Sequence, residues 1–405
     1  MRWASAVSDD PSLDRAAADV GARLRAQLRG ATPDLALVFV GMHHAAAYDR
    51  VPERLATACA PTVLVGCSAG GVIGGGREVE QRPGLSVTAA VLPGVEVAAF
   101  HLGSAQLPAL ADDGAAWERL LAVPAAAQPQ FILLPEPFSF DAERLLAGLD
   151  RWYPTSQKIG GVASGAREAG RNALFLHNEV HRTGLVGVAL SGNVEVDTVV
   201  AQGCRPIGVP MFVTRAQGNL LWELDGRPAV EVLRELYARL PRADQDLARH
   251  SLFLGIVMSD TQEEYRHGDF LIRNLMGMDP ERGILAVGAL LRENSVVQFH
   301  LRDAATSAAD IEQLLTAYAA RPGATRAAGA LLFSCLGRGI HLYGRADHDT
   351  DVFRDHLGEV PLGGFFCNGE IGPVGGRTHL HGFTSAFGIF RPHGPTPPAP
   401  HTEPR

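Results

Sequence analysis

The chain has 405 residues and a formal charge of −8, with 36 basic against 44 acidic residues, 46% hydrophobic and 20% charged. That balance fills a globular core, predicts about two or three domains at roughly 100–200 residues each, and excludes a general nucleic-acid binder, which needs a basic face to displace counterions. Five cysteines, an odd number, are too few for a disulfide scaffold, so a reducing cytoplasm is the expected compartment. Lys158 is the only lysine, so 36 − 1 = 35 basic residues are arginine, which reads as the coding bias of a GC-rich bacterial host. The first ten residues lack the apolar stretch of a signal peptide. No apolar run approaches the ~20 residues that cross a bilayer, and the longest candidate, 85–102, is broken by Pro93, Gly94 and Glu96.

In chain order, Leu13, Ala17, Val20, Leu24 and Leu28 share one helical stripe with Gly30 as a stop, predicting an N-terminal helix within residues 1–30. Residues 35–40 read as a buried strand, 51–60 as a short helix, and 62–65 as a second buried strand running into Gly66-Cys67-Ser68-Ala69-Gly70-Gly71. Strands 85–92 and 95–102 follow around the turn signal Pro93-Gly94. The order then recurs as strand 130–134, helix 141–149, glycine-rich 158–165, and a hairpin 184–190/194–200. A partial copy holds helix 228–240, strand 252–257 and a hairpin 283–291/295–301 turning at Arg292-Glu293-Asn294. Helix 306–320 carries Ser307 and Asp310 in a capping-box-like spacing. A last copy reads as strand 330–335, helix 351–357, glycine-rich 362–370 and closing strand 383–390. Residues 392–405 contain six prolines and predict a disordered tail.

Three full copies and one partial copy of a strand–helix–strand–glycine loop–hairpin unit predict architecture before function. One helix per several strands favours mixed sheets, each covered by helices on one face and packed on another sheet with its other face. The predicted fold is therefore α/β (α+β, mixed sheets), an αββα-like layered sandwich of pseudo-repeated units with a boundary near 218–226.

Gly66-Cys67-Ser68-Ala69-Gly70 matches G-x-S-x-G after a strand, but the glycines at 70, 71 and 74–76 make a poor start for the helix a nucleophile elbow requires. Cys67, Cys335 and Cys367 fall at the ends of strands in corresponding copies; they read either as small buried hydrophobes or as the wall of one pocket. His177 and His181, four apart and so ~13 Å apart on a strand, and His379 and His381, ~6.6 Å apart, read as surface or structural histidines. No P-loop and no G-x-G-x-x-G after the first strand is present, so no nucleotide cofactor and no metal are expected. What remains is polar groups on glycine-rich strand ends. Ser334-Cys335-Leu336-Gly337-Arg338, Cys367-Asn368-Gly369-Glu370, and Arg273-Asn274 beside an apolar run are the segments concerned. Arginine offers a fork to a carboxylate and glutamate a partner to an ammonium, the parts an amino-acid-like zwitterion needs. An Arg338–Glu370 ion pair that simply holds two units together is an equal reading of the same residues.

At these residues the sequence resembles the FIST family, a ligand-sensing module of bacterial signal-transduction proteins also found in some eukaryotic F-box proteins. The strand leading into Gly66-Cys67-Ser68-Ala69-Gly70 looks like FIST N; residues 269–274, 332–338 and above all 361–373 are similar to FIST C. The resemblance spans roughly 30–391. It implies an N-terminal helix at 1–30, a FIST N domain at 31–225 and a FIST C domain at 226–391, followed by the 392–405 tail. It also implies a cytoplasmic sensory protein that binds a small molecule, an amino acid or related metabolite. Family members are often fused to an output domain; the chain leaves no room for one, so a separate signalling partner is expected, with no nucleic acid and no membrane involved. The ligand set read from the residues is Gly66, Cys67, Ser68, Ala69, Gly70, Arg273, Asn274, Ser334, Cys335, Arg338, Cys367, Asn368, Gly369 and Glu370, with no catalytic residue assigned. The alternatives are an enzyme with a cysteine or serine nucleophile at Cys67, Ser68 or Cys335, and a protein-interaction scaffold.

Overall fold

Long buried apolar runs form the parallel strand pairs that organise the chain. In the computed structural model, which describes residues 1–109, 113–259, 264–266 and 268–393, strands Leu35–Gly41 and Val63–Ala69 are buried throughout. They run parallel, and helix Val51–Cys59 connects them. The same β–α–β unit is built by Gln130–Pro135, Ala142–Trp152 and Lys158–Gly161, and again by Gly329–Cys335, His348–Leu357 and Leu362–Cys367. These are the repeated copies legible in the sequence. In each, a glycine of the second strand stands opposite an apolar residue of the first: Gly66 opposite Val38, Gly160 opposite Leu133, Gly364 opposite Leu332. A Cβ on any of these glycines would sit 1.9 Å from the carbonyl oxygen it faces, so only glycine fits.

Each unit anchors one six-stranded mixed sheet. The first holds, in order, Arg2–Ser8, Leu85–Val91, Leu35–Gly41, Val63–Ala69, Leu174–Leu176 and Glu179–His181. The second runs Arg377–His381, Glu370–Val374, Lys158–Gly161, Gln130–Pro135, Leu185–Gly192, Val95–Leu102. The third runs Glu195–Gln202, Thr384–Arg391, Gly329–Cys335, Leu362–Cys367, Gly71–Gly74, Arg77–Glu80. One face of all three lines a common core, where Phe365 stacks on Phe39 at 4.7 Å and meets Phe333 edge-on at 5.8 Å. Helices cover the outer faces: Leu13–Gln27 and Val51–Cys59 on the first, Gly114–Leu121 and Ala142–Trp152 on the second, Ala304–Ala319 and His348–Leu357 on the third. The helix-covered, face-packed layering expected from composition is present, with three sheets around the core. A fourth, seven-stranded sheet from residues 204–302 closes into a small barrel through the pairing of Cys204–Gln217 with Leu220–Leu224, and has its own core.

The predicted hairpins are the main departure. Leu85–Val91 and Val95–Leu102 lie in different sheets, as do Leu185–Gly192 and Glu195–Gln202, and Ile284–Val287 is not paired with Val296–Arg302. In every case the first strand already has a neighbour on both edges, so the chain must carry the next strand elsewhere. The N-terminus forms strand Arg2–Ser8 ahead of its helix, pairing with Leu85–Val91. The cap of helix Ala304–Ala319 is Asp303, which accepts the Thr306 N–H at 2.7 Å; Ser307 instead donates its hydroxyl to Gly203 O at 2.9 Å. Of the expected tail, residues 394–405 lie outside the described residues.

Gly66→Ala, Gly160→Ala and Gly364→Ala should each lower stability by about 3 kcal/mol or more, because a methyl must displace backbone in a packed core. Gly277→Ala, with nothing within 4 Å of its added Cβ, is the control and should change little. Urea unfolding followed by circular dichroism checks both.

Candidate functional site

The carboxyl ends of the three parallel pairs converge, and their loops are stitched to one another by backbone. Ser164, just past Lys158–Gly161, is the central link: its hydroxyl donates to Phe366 O at 2.5 Å and accepts from Gly70 N at 2.9 Å, while its N–H reaches Ser68 O at 3.2 Å. Val162 N donates to Gly369 O, Asn368 N to Val162 O, and Leu336 N to Cys367 O. Asn368 Nδ2 adds a bond to Ala163 O at 3.1 Å. Segments far apart in sequence therefore meet as expected, but through satisfied hydrogen bonds. Gly70 leaves room for Leu336, whose Cδ2 would lie 2.4 Å from an added Cβ.

The two faces of strand Val63–Ala69 separate the predicted residues. Cys67 points into the common core with Cys367. Ser68 points to the other side, donating to Asn172 Oδ1 at 3.0 Å and accepting from Ala173 N at 3.0 Å; Asn172 in turn donates to Glu136 Oε1 at 3.1 Å. A strand, Gly71–Gly74, follows the G-x-S-x-G segment in place of a helix, and the serine's partner is an amide, not a base. That arrangement has neither requirement of a nucleophile elbow. Gly66, Ala69, Gly70, Asn368 and Gly369 act in packing and stitching. Asn274 sits in the barrel strand Phe270–Asp279, opposite Phe253.

Ser334, Cys335, Arg338, Cys367 and Glu370 instead belong to one buried polar cluster where the barrel meets the third sheet, while Arg273 reaches Leu380 O of the second sheet and pairs with Glu143 at 3.7 Å. Arg338 is fully buried and forks onto Asp349, with Nε–Oδ2 at 2.9 Å and Nη2–Oδ1 at 3.2 Å, and Nη2 also donates to the Tyr343 hydroxyl at 2.6 Å. The partner of Arg338 is thus Asp349, not the Glu370 read as a possible mate from sequence. Burial pushes the Asp349 carboxyl up, but the Arg338 charge and the hydrogen bonds from His348, Arg338 and Ser385 outweigh it and hold the group below the usual carboxylate range. Ser385 donates to Asp349 at 2.5 Å and lies 3.2 Å from the Ser334 hydroxyl. The His348 Nδ1–H donates to Asp349 at 2.9 Å, and the ring stacks on Tyr343 at 3.4 Å.

Glu370 is 0% exposed and, among the described residues, has no direct ion pair. It accepts Thr384 N at 3.0 Å and Thr384 Oγ1 at 2.7 Å on one oxygen, and the Cys367 thiol at 3.4 Å on the other. Burial pushes its carboxyl up to about 7, against the pull of those bonds and of the Arg338 charge. Arg273, on the barrel strand, extends toward the same group: it donates to Ile272 O and Leu380 O, both at 3.1 Å, and burial lowers its pKa while Glu143 and Glu370 raise it. The thiols of Cys335 and Cys204 are pushed up to about 12 by burial, and those of Cys67 and Cys367 also rise, so all four stay protonated at neutral pH and are poor nucleophiles.

Several members of the cluster carry no sequence signal. Glu78 lies in the strand Arg77–Glu80, which docks on residues 338–350; its Oε1 accepts Thr350 N at 3.0 Å, its Oε2 has no partner, and burial beside Asp349 drives its carboxyl upward. Asp349 and Arg302 sit among other polar residues of their elements with nothing in sequence to set them apart. Two clefts lie elsewhere: one of about 600 Å³ bordered by Asp49, Glu53, Leu64 and His177, the other of about 270 Å³ bordered by Gln157, Asp197 and Arg391. Neither is lined by a residue of the predicted ligand set.

The family model described as the FIST N domain matches residues 34–227, and that described as the FIST C domain matches residues 229–373. An uncharacterized protein of Mycobacterium tuberculosis strain H37Rv is 39% identical over 399 residues, covering 96% of this chain and 100% of its own length. An uncharacterized protein of Mycobacterium bovis is 38% identical over 399 residues, covering 96% and 99%. The two family matches meet inside the barrel, beside strand Arg227–Pro228.

Glu370 gives a pH test. Its carboxyl titrates near 7 when folded and near ~4.3 when unfolded, so the folded protein holds the extra proton between those values. The stability it contributes is full below ~4.3 and is lost as pH rises through about 7. Glu370→Gln, which keeps an acceptor for Thr384, should therefore gain on wild type as pH rises, by about 3 kcal/mol between pH ~4 and ~8. Urea titrations of both proteins across that range measure it; parallel pH profiles would contradict it.

Proposed function

The chain belongs to the FIST family, whose domains serve as sensory domains of signal transduction, and we propose that it is a cytoplasmic small-molecule sensor that signals through a separate output protein. The observation that carries this reading is Glu370: a carboxyl with no direct ion pair among the described residues, wholly removed from water, where strand Glu370–Val374, the turn before Thr384–Arg391 and the barrel's Arg273 come together. A buried acid without a cationic partner is costly to keep, and such perturbed groups cluster at functional sites. An amine-bearing metabolite, an amino acid above all, would place its ammonium on Glu370 and its carboxylate on a nearby arginine. The site is closed in this conformation. Ligand entry would move the turn at Gly382–Phe383, where Phe383 sits at φ 67°, a conformation strained for an aromatic residue. That turn packs on the barrel through Phe253, so its displacement would shift the barrel relative to the three-sheet body and give the output partner something to read.

Differential scanning fluorimetry and calorimetry against the proteinogenic amino acids and related metabolites test the proposal. At least one should stabilise the wild type at about millimolar concentration or below, corresponding to roughly 4 kcal/mol of binding or more, and the effect should be lost in Glu370→Gln and Arg273→Ala. No response across the panel, or a response unchanged in both variants, overturns it.

A further inference from the structure

Two arginines of the same cluster have guanidinium N–H groups with nothing to donate to. Arg338 uses Nε and Nη2 on Asp349 and Tyr343, but its Nη1 is buried without an acceptor. Arg302, at the end of barrel strand Val296–Arg302, has both Nε and Nη1 buried without one. The Arg302 guanidinium is held in place by two rings, lying 5.9 Å from the centroid of Phe253 and 5.0 Å from that of Phe383. Glycines flank both groups: an added Cβ at Gly337 would sit 2.5 Å from Arg302 Nη1, and one at Gly203 would sit 3.1 Å from Arg338 Nη1. Both guanidiniums lie around Cys204: Arg302 is its cross-strand partner, and Gly203 beside it faces Arg338 Nη1.

Glu370 is felt by Cys335 and feels Arg338, but among the described residues it makes no ion pair with Arg302 or Arg338. Asp349 is taken up by Arg338, His348 and Ser385. Asp303 is taken up by Arg205 and by the first turn of helix Ala304–Ala319. Arg302 has no carboxylate partner among the described residues. Fixed, preorganised guanidinium donors with no acceptor are the complement of an anion, and an arginine fork fits oxygens of a carboxylate or phosphate. Arg302, Gly337 and Phe383 are only partly buried, whereas Arg338 and Glu370 lie wholly inside.

We propose that Arg302 and Arg338 form a subsite for one small oxyanion at the junction of the barrel and the third sheet, beside Gly337 and the thiols of Cys204 and Cys335. As a position for the acidic group of the sensed molecule it rests on the sensory reading above; as an anion site it stands on the unpaired donors alone. It also assigns Arg302, which neither composition nor motif singles out, a part in ligand selection.

The test titrates acetate, inorganic phosphate and sulfate into the full-length protein at constant ionic strength with chloride as the balancing ion, following thermal stability. A saturable rise with acetate, phosphate or sulfate that chloride does not produce is expected; acetate against phosphate tells a carboxylate from a tetrahedral oxyanion. Arg302→Met keeps an apolar stem on the two rings but removes two of the three unpaired donors, and should weaken the anion at least about tenfold. In anion-free buffer Arg302→Met should be no less stable than wild type, because it removes buried donors that lacked acceptors. Arg338→Lys, which keeps a charge for Asp349, is the second variant and should weaken the anion while remaining folded. No saturable rise, or a rise the same in both variants, overturns the subsite and means that water alone meets these donors. Metabolite binding that depends on Glu370 but not on Arg302 would keep the sensory reading and discard the subsite. Anion binding with no metabolite response would do the reverse.

Discussion

The close approach of paired parallel strands at Gly66, Gly160 and Gly364 is the constraint on which the rest depends. A facing carbonyl oxygen occupies the space where any other residue would carry its Cβ. Each pair can thereby lie close, and the loops that follow the three pairs meet at one place. There Ser164 ties the first unit to the third through Gly70 and Phe366, while Val162, Asn368 and Gly369 tie the second to the third. The glycine-rich loops are thus first a means of assembly: their backbone groups satisfy one another, and few are left over for a ligand.

The units have the same scaffold but differ in what they bury. The first ends in Ser68, whose hydroxyl closes a short network with Asn172 and Glu136. The second ends in apolar Val162 and Ala163, and nearby the chain's lone lysine is committed to Asp150, which also binds Thr378. Among the described residues the third unit gathers arginine, aspartate and thiols in one volume with Glu370, and there the barrel's Arg302 meets the loop at Gly337. Carrying several charges out of water is costly, and the ones paired in full, such as Arg338 with Asp349, hold the fold together. Those paired in part, Glu370 and Arg302, are the groups that the proposed ligand would meet.

Much of the fold was legible because it is written in periodicity and punctuation. The apolar runs at 35–40, 130–134 and 330–335, each followed by a helix and a glycine-rich strand end, gave the repeated unit and the layered class. Strand partners were not legible: a turn signal such as Pro93-Gly94 marks a reversal of direction, but whether the next strand pairs with the last depends on edges occupied by distant segments. The candidate site divides in the same way. Arg338, Cys335, Cys367 and Glu370 stood out because they sit on glycine-rich ends and do cluster. Ser68 stood out equally and faces the opposite side, because alternate residues of a strand point apart. Glu78, Asp349 and Arg302 lie in unremarked stretches and gain meaning only from contact with others.

Strands from the two halves of the chain are interleaved. The third sheet takes Gly71–Gly74, Arg77–Glu80 and Glu195–Gln202 from the first half and the remainder from the end, and the second sheet is completed by Glu370–Val374 and Arg377–His381. A growing polypeptide emerging from the ribosome would hold those early strands with bare, sticky margins until the last portion is synthesised. Truncating the gene before its final strands would therefore yield not a smaller sensor but an aggregation-prone fragment, and splitting it at the seam between the two family matches would leave each piece dependent on the other.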